Sequence, residues 1–186
     1  MSNKTYVVWS CAHATPENSN ERFDWLGNFL YDVKPDVAID LGDSGDFKSL
    51  NSYDTRYPQA IVTQSYEKDV EVYNDSMERI RRKFKENKRK RPYFVGFCGN
   101  HEKRIETALA VDPRLEGDKY GVSFKHLNTD KYFDDYHPYM KGGPEGWAGQ
   151  AQNDWWTGVV VLNEVDGFGG FEPSFISLKR LKEEYS

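Results

Sequence analysis

The sequence predicts an α/β fold in which parallel strands alternate with helices. Residues 5–10 (TYVVWS), 37–41 (VAIDL) and 93–98 (YFVGFC) are short runs rich in β-branched and aromatic side chains, which is typical of buried strands. Stretches with helical periodicity separate these runs, and the order strand, helix, strand favours parallel βαβ units. A polar cluster follows each run directly, at the point where the strand would end.

Three stretches with apolar residues three and four positions apart predict amphipathic helices. The first stretch follows possible cap residues at 18–20 and ends before Pro35; its apolar positions are Phe23, Leu26, Leu30 and Val33. The second is longer and ends in the basic residues 88–91 (KRKR); its apolar positions are Val70, Tyr73, Met77, Ile80 and Phe84. The third is short and carries Ile105 and Leu109.

The second half of the chain gives weaker patterns. Residues 130–150 are rich in Asp, Tyr, Gly and Pro, which predicts loops. Residues 157–163 (TGVVVLN) predict a strand that pairs with residues 171–178 across the glycine turn at 166–170. Residues 178–185 predict a terminal helical turn.

Composition limits the classes of function that are open to the chain. Its 186 residues fit one domain, and 38% hydrophobic and 15% aromatic residues predict a folded globular protein over residues 1–186. A net charge of −5 excludes a globally basic surface for nucleic acid. Two cysteines exclude a disulfide scaffold and a four-cysteine zinc module. No apolar run could cross a bilayer and no signal-peptide pattern opens the chain, so we expect a cytoplasmic protein without membrane contact.

The three polar clusters offer a mixed set of metal ligands. They are Cys11-Ala12-His13, then Gly42-Asp43, then residues 99–102 (GNHE). In an open α/β sheet, ligands bind outside the carboxyl ends of the strands, so we expect the clusters to converge. Imidazole, thiol, carboxylate and amide groups together suit a transition metal such as zinc, manganese or iron.

In this order, the clusters resemble the motifs of the calcineurin-like metallophosphoesterases: Asp-x-His, Gly-Asp-x-x-Asp and Gly-Asn-His-Asp/Glu. The resemblance covers roughly residues 5–111, and residues 146–185 are similar to the end of phage-encoded members. It implies a calcineurin-like α/β sandwich that is shortened in its second half. It also implies a metal-dependent hydrolase of phosphomonoesters or phosphodiesters, placed in the host cytoplasm if the chain is phage-encoded. By analogy, the substrate could be a nucleotide or a nucleic acid.

The resemblance implies a role for each matching residue. His13 and the residue at position 11 would ligate a first divalent metal ion (manganese, zinc or iron), Asp43 would bridge to a second ion, and that ion would be held by Asn100. His101 would act on the leaving-group oxygen and gain anion affinity from free N–H groups at a helix start. Asp46 and Glu102 would support the ligand loops from outside the ligand set.

Two departures from the family pattern leave an alternative open. Cys11 stands where the family has Asp, and the Gly-His-x-His motif is missing, as though excised between residues 139 and 146. One or two ions could therefore bind, and the alternative to an enzyme of impaired activity is an inactive scaffold that acts as a binding protein. We expect His126 and His137 to be ordinary loop histidines.

Cys11 and the basic residues 81–91 each have both a structural and a functional interpretation, whereas Cys98 has only a structural one. Cys11 could be a metal ligand, although a buried, inert thiol is favoured. Cys98 is expected to pack in its strand. The basic residues 81–91 are expected to be a solvated helix end, with contact to a phosphate backbone as the alternative.

Overall fold

The computed structural model describes residues 4–51, 65–119, 121–138, 158–166, 168 and 170–186 and confirms an α/β architecture. The described strands are β1 (Lys4–Trp9), β2 (Val37–Asp40), β3 (Tyr93–Phe97), β4 (Asp135–His137), β5 (Gly158–Val165) and β6 (Glu172–Ser177). The described α-helices are α1 (Glu21–Val33), α2 (Tyr66–Glu86), α3 (Lys103–Val111), α4 (Thr129–Tyr132) and α5 (Leu178–Tyr185). Short 3₁₀ turns cover Lys48–Leu50, Pro113–Leu115 and Phe124–Leu127.

The described strands form one mixed six-stranded sheet in the order β4-β3-β2-β1-β5-β6. Strands β1 to β4 are parallel, which confirms the predicted βαβ organisation. Strand β5 runs antiparallel to β1, and β6 pairs antiparallel with β5 as predicted. The segment at 139–146, where histidine motifs were expected to be missing, lies outside the described residues.

Strand β4 and helix α4 lie within a stretch that was predicted to be loops. Strand β4 has three residues and α4 has four, too few for either periodicity to show in the sequence. The strand is attached to β3 by the residue before it. Asp134 donates its backbone N–H to the carbonyl of Phe94 at 2.8 Å and accepts the N–H of Phe94 on its carboxylate at 2.8 Å.

One face of the sheet carries the core. Its central row consists of Val7, Ala38, Phe94 and Val161, which are paired across the strands and are at most 5% exposed. Helix α1 packs against both α2 and α5, and together these helices contribute most of the buried apolar side chains outside the sheet. The opposite face is also apolar but only half-buried; it includes Val8, Ile39, Val95 and Val160.

The first helix begins near Asn20, as predicted, but the side chain of this residue does not cap it. The carboxamide of Asn20 donates instead to the carbonyl of Val72 at 3.0 Å and to Asp75 at 2.9 Å. Both partners lie on α2, so Asn20 joins the start of one helix to the flank of the other.

Arg81 is buried, and the prediction that it belongs to a solvated helix end was wrong. Its guanidinium donates to the carbonyls of Tyr132 at 3.0 Å and Met77 at 2.9 Å and lies 4.2 Å from the ring centroid of Phe94. Burial lowers the pKa of Arg81 to about 10. The residue therefore joins α2 to α4 and β3.

Within the described part of the chain, no helix combines the length and apolar character needed to cross a membrane.

Helices α1 and α2 approach closely at Gly27. A Cβ atom there would lie 2.7 Å from the carbonyl oxygen of Ile80 and 3.0 Å from that of Arg79. These are backbone atoms of α2, so relief would require the two helices to separate.

We expect Gly27→Ala to destabilise the protein, although alanine is intrinsically the better helix former by about 1 kcal/mol. Overpacking against backbone costs about 1–3 kcal/mol, so after the gain in helix propensity the free energy of unfolding in urea should fall by up to about 2 kcal/mol. Asp32→Ala, at an exposed position of the same helix, is the matched control and should not destabilise. An unchanged or increased stability of Gly27→Ala would show that the helices are not in close contact here.

Candidate metal centre

The loops that follow β1 and β2 run side by side at the carboxyl edge of the sheet. The N–H of Cys11 donates to the carbonyl of Gly42 at 3.0 Å, and that of His13 donates to the carbonyl of Asp43 at 2.9 Å. Ala14 continues the pairing with a bond to Ser44 at 2.7 Å. The backbone itself therefore holds the first two polar clusters together, as expected from strands that end at one edge.

Three of the predicted ligand residues have left-handed backbone conformations. Cys11 has φ 54°, His13 has φ 46° and Asp43 has φ 57°. For residues other than glycine this conformation costs about 1–2 kcal/mol each. Strain of this kind concentrates at functional sites, where the surrounding structure imposes it.

Two glycines let the loop after β3 approach the loop after β2. A Cβ atom at Gly42, which has φ 97°, would lie 2.4 Å from the backbone nitrogen of Gly99. A Cβ atom at Gly99 would lie 2.1 Å from the carboxylate of Asp43. Any side chain at either position would push the second and third polar clusters apart.

The buried side chain of Glu102 links these two loops. Its carboxylate is 1% exposed and accepts backbone N–H bonds from Asp43 at 2.9 Å, Gly45 at 2.9 Å and Gly99 at 3.0 Å. Burial raises the pKa of Glu102 to about 7, against the effect of these bonds. Its contacts are with the backbone of the loops, as the predicted supporting role requires.

Five of the predicted site residues form two overlapping groups of donor atoms, and the second group includes His101 and Asp46, which were predicted to have other roles than metal binding. The sulfur of Cys11, a ring nitrogen of His13 and a carboxylate oxygen of Asp43 all lie within 4.8 Å of one another. Donor atoms of His13, Asp46 and His101 form a second group within the same limit. His13 belongs to both groups, and its ring centroid lies 4.4 Å from that of His101.

Asp46 contacts His101 directly. One carboxylate oxygen of Asp46 lies 2.9 Å from Nδ1 of His101, and the N–H of His101 donates to the carboxylate of Asp43 at 2.9 Å. Arg104 donates to the carbonyl of Asp46 at 2.6 Å and lies 3.4 Å from Nε2 of His101. No sequence motif marks Arg104, because its contacts depend on the fold of the loop around Asp46.

The pKa values of His13 and His101 are shifted in opposite directions. Burial, followed by the nearby charge of His101, lowers the pKa of His13. Burial also disfavours the charged form of His101, but the hydrogen bonds that it donates to Asp46 and the nearby charge of Asp43 together outweigh burial and raise the pKa of His101. At neutral pH, His13 is therefore the more neutral ring and His101 the more cationic one.

Cys11 is exposed, so the prediction of a buried, inert thiol was wrong, whereas Cys98 is buried as expected. The sulfur of Cys11 lies 3.1 Å from the hydroxyl of Ser10. Partial desolvation and the nearby carboxylates of Asp43, Asp40 and Glu102 raise the pKa of Cys11. Binding of a metal to this thiol would therefore release a proton.

Three further residues were named from the sequence: Asn100 and His137 lie at this edge, and His126 does not. Asn100 is exposed in the turn before His101. The backbone N–H groups expected to be free there are occupied, because that of His101 donates to Asp43 and that of Lys103 donates to the carbonyl of Gly99. His126 lies elsewhere and bonds to Tyr66 and Asp118, as expected for a loop histidine. His137 ends β4 and stacks on Phe97 at 4.7 Å, so it is a strand residue at the same edge.

Comparison with models of protein families, with curated proteins and with solved structures finds no match to this chain. The site therefore has to be judged on its own geometry.

We expect Glu102→Gln to destabilise the metal-free protein. An amide keeps the shape of the side chain but turns an N–H₂ group towards a backbone donor, and a buried donor left without an acceptor costs about 1–3 kcal/mol. The free energy of unfolding, measured in urea at pH 5 with a chelator, should fall, and the difference should shrink as pH rises through 7, because burial makes ionised Glu102 costly and an amide avoids that cost. Glu106→Gln, on the exposed side of α3, is the control and should change it by less than about 0.5 kcal/mol. Equal effects of the two substitutions would contradict the proposed linkage of the loops.

Proposed function

We propose that the chain is a metal-dependent phosphoester hydrolase related to the calcineurin-like metallophosphoesterases. The observation that carries the proposal is the grouping of Cys11, His13 and Asp43 donor atoms within 4.8 Å, beside His101. These residues come from separate motifs that each follow a parallel strand, in the order expected for the family.

The sheet is compatible with a shortened form of the family sandwich. One face is covered by helices, while the other is apolar and only half-buried, which suits the packing of a further layer. We propose the calcineurin-like arrangement on this ground and on the motif order.

The first donor group fits a borderline transition metal. Donor atoms that lie within 4.8 Å of one another could share one zinc ion after small movements of their side chains. Sulfur, nitrogen and oxygen donors suit zinc or iron, whereas a soft thiolate at Cys11 disfavours manganese and magnesium. When bound, such an ion would supply an activated water and polarise a phosphoryl oxygen.

The pKa shifts favour different roles for the two histidines. A lowered pKa keeps His13 neutral, and the neutral imidazole is the form that binds a metal. A raised pKa favours the protonated form of His101, with Nδ1 donating to Asp46; a proton on Nε2 could pass to the leaving-group oxygen once the contact with Arg104 opens. The Arg104 guanidinium, 3.4 Å from Nε2, adds positive charge where the phosphate would lie.

A binding protein without turnover is the second candidate. Two observations favour it: a thiol replaces the family carboxylate at Cys11, and only two of the four histidines contribute to the donor groups. Such a protein would still hold a metal at the same residues.

We expect His13→Ala to weaken metal binding more than any other single substitution, because His13 belongs to both donor groups. Loss of a residue that only hydrogen-bonds to a metal ligand lowers metal affinity about 10–100-fold, so loss of the ligand His13 itself should lower it about 100-fold or more. Calorimetric titration with Zn²⁺ and Co²⁺ measures the effect. His126→Ala is the matched control and should bind like the wild type.

The cobalt form also tests Cys11. A thiolate ligand should give a near-ultraviolet charge-transfer absorption that disappears in Cys11→Ser. A Co²⁺ affinity of His13→Ala equal to that of the wild type would contradict the proposed metal centre.

We expect weak hydrolysis of bis(p-nitrophenyl) phosphate by the wild type with Zn²⁺, and faster hydrolysis by Cys11→Asp with Mn²⁺, because a carboxylate suits the harder ion. His101→Ala should lower kcat by about 10²–10⁴-fold, the usual contribution of a general acid, without loss of bound metal. Metal binding with no turnover in either the wild type or Cys11→Asp would favour the binding protein over the enzyme.

A further inference from the structure

A basic cleft lies at the edge of the sheet opposite the candidate metal centre. It encloses about 680 Å³ where α1 and α2 end and where β2 and β3 begin. We call it the basic cleft; its charged and aromatic lining residues are Lys34, Asp36, Arg89, Lys90, Arg91, Tyr93 and Asp134. A five-residue strand spans about 17 Å, so the cleft is separate from the donor groups at the other strand ends.

The charge of the cleft is opposite to that of the chain. Its lining carries four cations against the two carboxylates of Asp36 and Asp134, whereas the whole chain has a net charge of −5. Lys88, just past the end of α2, adds a further exposed cation beside the lining residues Arg89 and Lys90. A local excess of this kind attracts anions even when the protein as a whole repels them.

Part of this charge has a structural explanation. Arg91 forms a two-pronged bond with Asp134 at 2.5 and 2.8 Å, and Arg89 donates to the carbonyl of Tyr31 at 3.1 Å and covers its ring at 4.5 Å. The carboxyl ends of two helices also meet here, each equivalent to about half a negative charge.

Three lysines remain after these structural roles. Among the residues that the structure describes, Lys34, Lys88 and Lys90 form no ion pair. Lys34 and Lys88 have left-handed conformations, with φ 56° and φ 47°, at the turns that end α1 and α2. These turns fix the points at which the exposed lysine side chains leave the backbone beside the cleft.

An aromatic ring completes the cleft. Tyr93 is 47% exposed, and its hydroxyl donates to the carboxylate of Asp135 at 2.8 Å, which restrains the ring at the surface. An exposed tyrosine beside lysines is the combination on which unpaired bases stack while their phosphates are neutralised.

We propose that the basic cleft binds single-stranded nucleic acid, with backbone phosphates against Lys34, Lys88 and Lys90 and a base stacked on Tyr93. A concave lining suits an extended strand better than the flat surface of an anionic membrane. The proposal does not depend on the hydrolase function, because none of these residues belongs to the donor groups.

The test is fluorescence anisotropy with a labelled 20-nucleotide oligo(dT) or oligo(rU), in the presence of a chelator. The variant is Lys34→Asn/Lys88→Asn/Lys90→Gln, because asparagine tolerates left-handed backbone at the first two positions. We expect its Kd to rise at least tenfold, and the slope of log Kd against log salt to fall by about 2, since each phosphate contact contributes about 0.7. The control is Lys125→Gln/Lys179→Gln/Lys182→Gln, which removes the same charge elsewhere and should retain most of the affinity.

The stacking contact has its own pair of variants. Tyr93→Leu should weaken binding about tenfold, whereas Tyr93→Phe keeps the ring and should bind like the wild type. Preference for DNA or for RNA would identify the source of the strand, and either preference supports the proposal.

Three outcomes would overturn it. Equal losses in the two triple variants would show a general charge effect. Equal affinity for a duplex would remove the single-strand assignment. Binding to phosphatidylserine vesicles without binding to either oligonucleotide would assign the cleft to a membrane. Thermal melts followed by circular dichroism confirm that each variant is folded.

Discussion

The buried carboxylate of Glu102 is the interaction on which the rim of the sheet depends. Three backbone N–H groups from two loops converge on it, and only a carboxylate offers enough acceptor positions for all three. The loop after β1 is attached in turn through the backbone bonds of Cys11 and His13. One side chain that never faces the site thus sets the spacing of all three polar clusters, and the glycines at 42 and 99 allow that spacing to be short.

This network also explains how the rim tolerates its strain. Cys11, His13 and Asp43 each have a left-handed backbone that would relax in an isolated loop. The backbone pairing between the two loops and the bonds to Glu102 leave them no alternative conformation. These three strained positions coincide with donor atoms that lie within 4.8 Å, whereas the left-handed residues Lys34 and Lys88 lie at helix ends.

Features that depend on residues close in sequence could be predicted, whereas features that depend on distant residues or on loop conformation could not. The apolar runs ahead of Cys11 and Asp43 predicted both the strands and the edge at which the clusters meet, because hydrophobic periodicity is local. Strand β4 was missed because three residues show no period. The burial of Arg81 was missed because its acceptor on Tyr132 is 51 residues away. The exposure of Cys11 depends on a loop conformation that no local pattern encodes.

The division between the two histidines depends on Asp46. With ring centroids 4.4 Å apart, His13 and His101 cannot both be positively charged without repulsion, and burial alone would lower the pKa of each. The carboxylate of Asp46 accepts a hydrogen bond from His101 at 2.9 Å and therefore favours the charged form of that ring more than that of His13. In the proposed site, the neutral ring would lie with Cys11 and Asp43 as a metal ligand, and the cationic ring beside it would supply a proton to the leaving group.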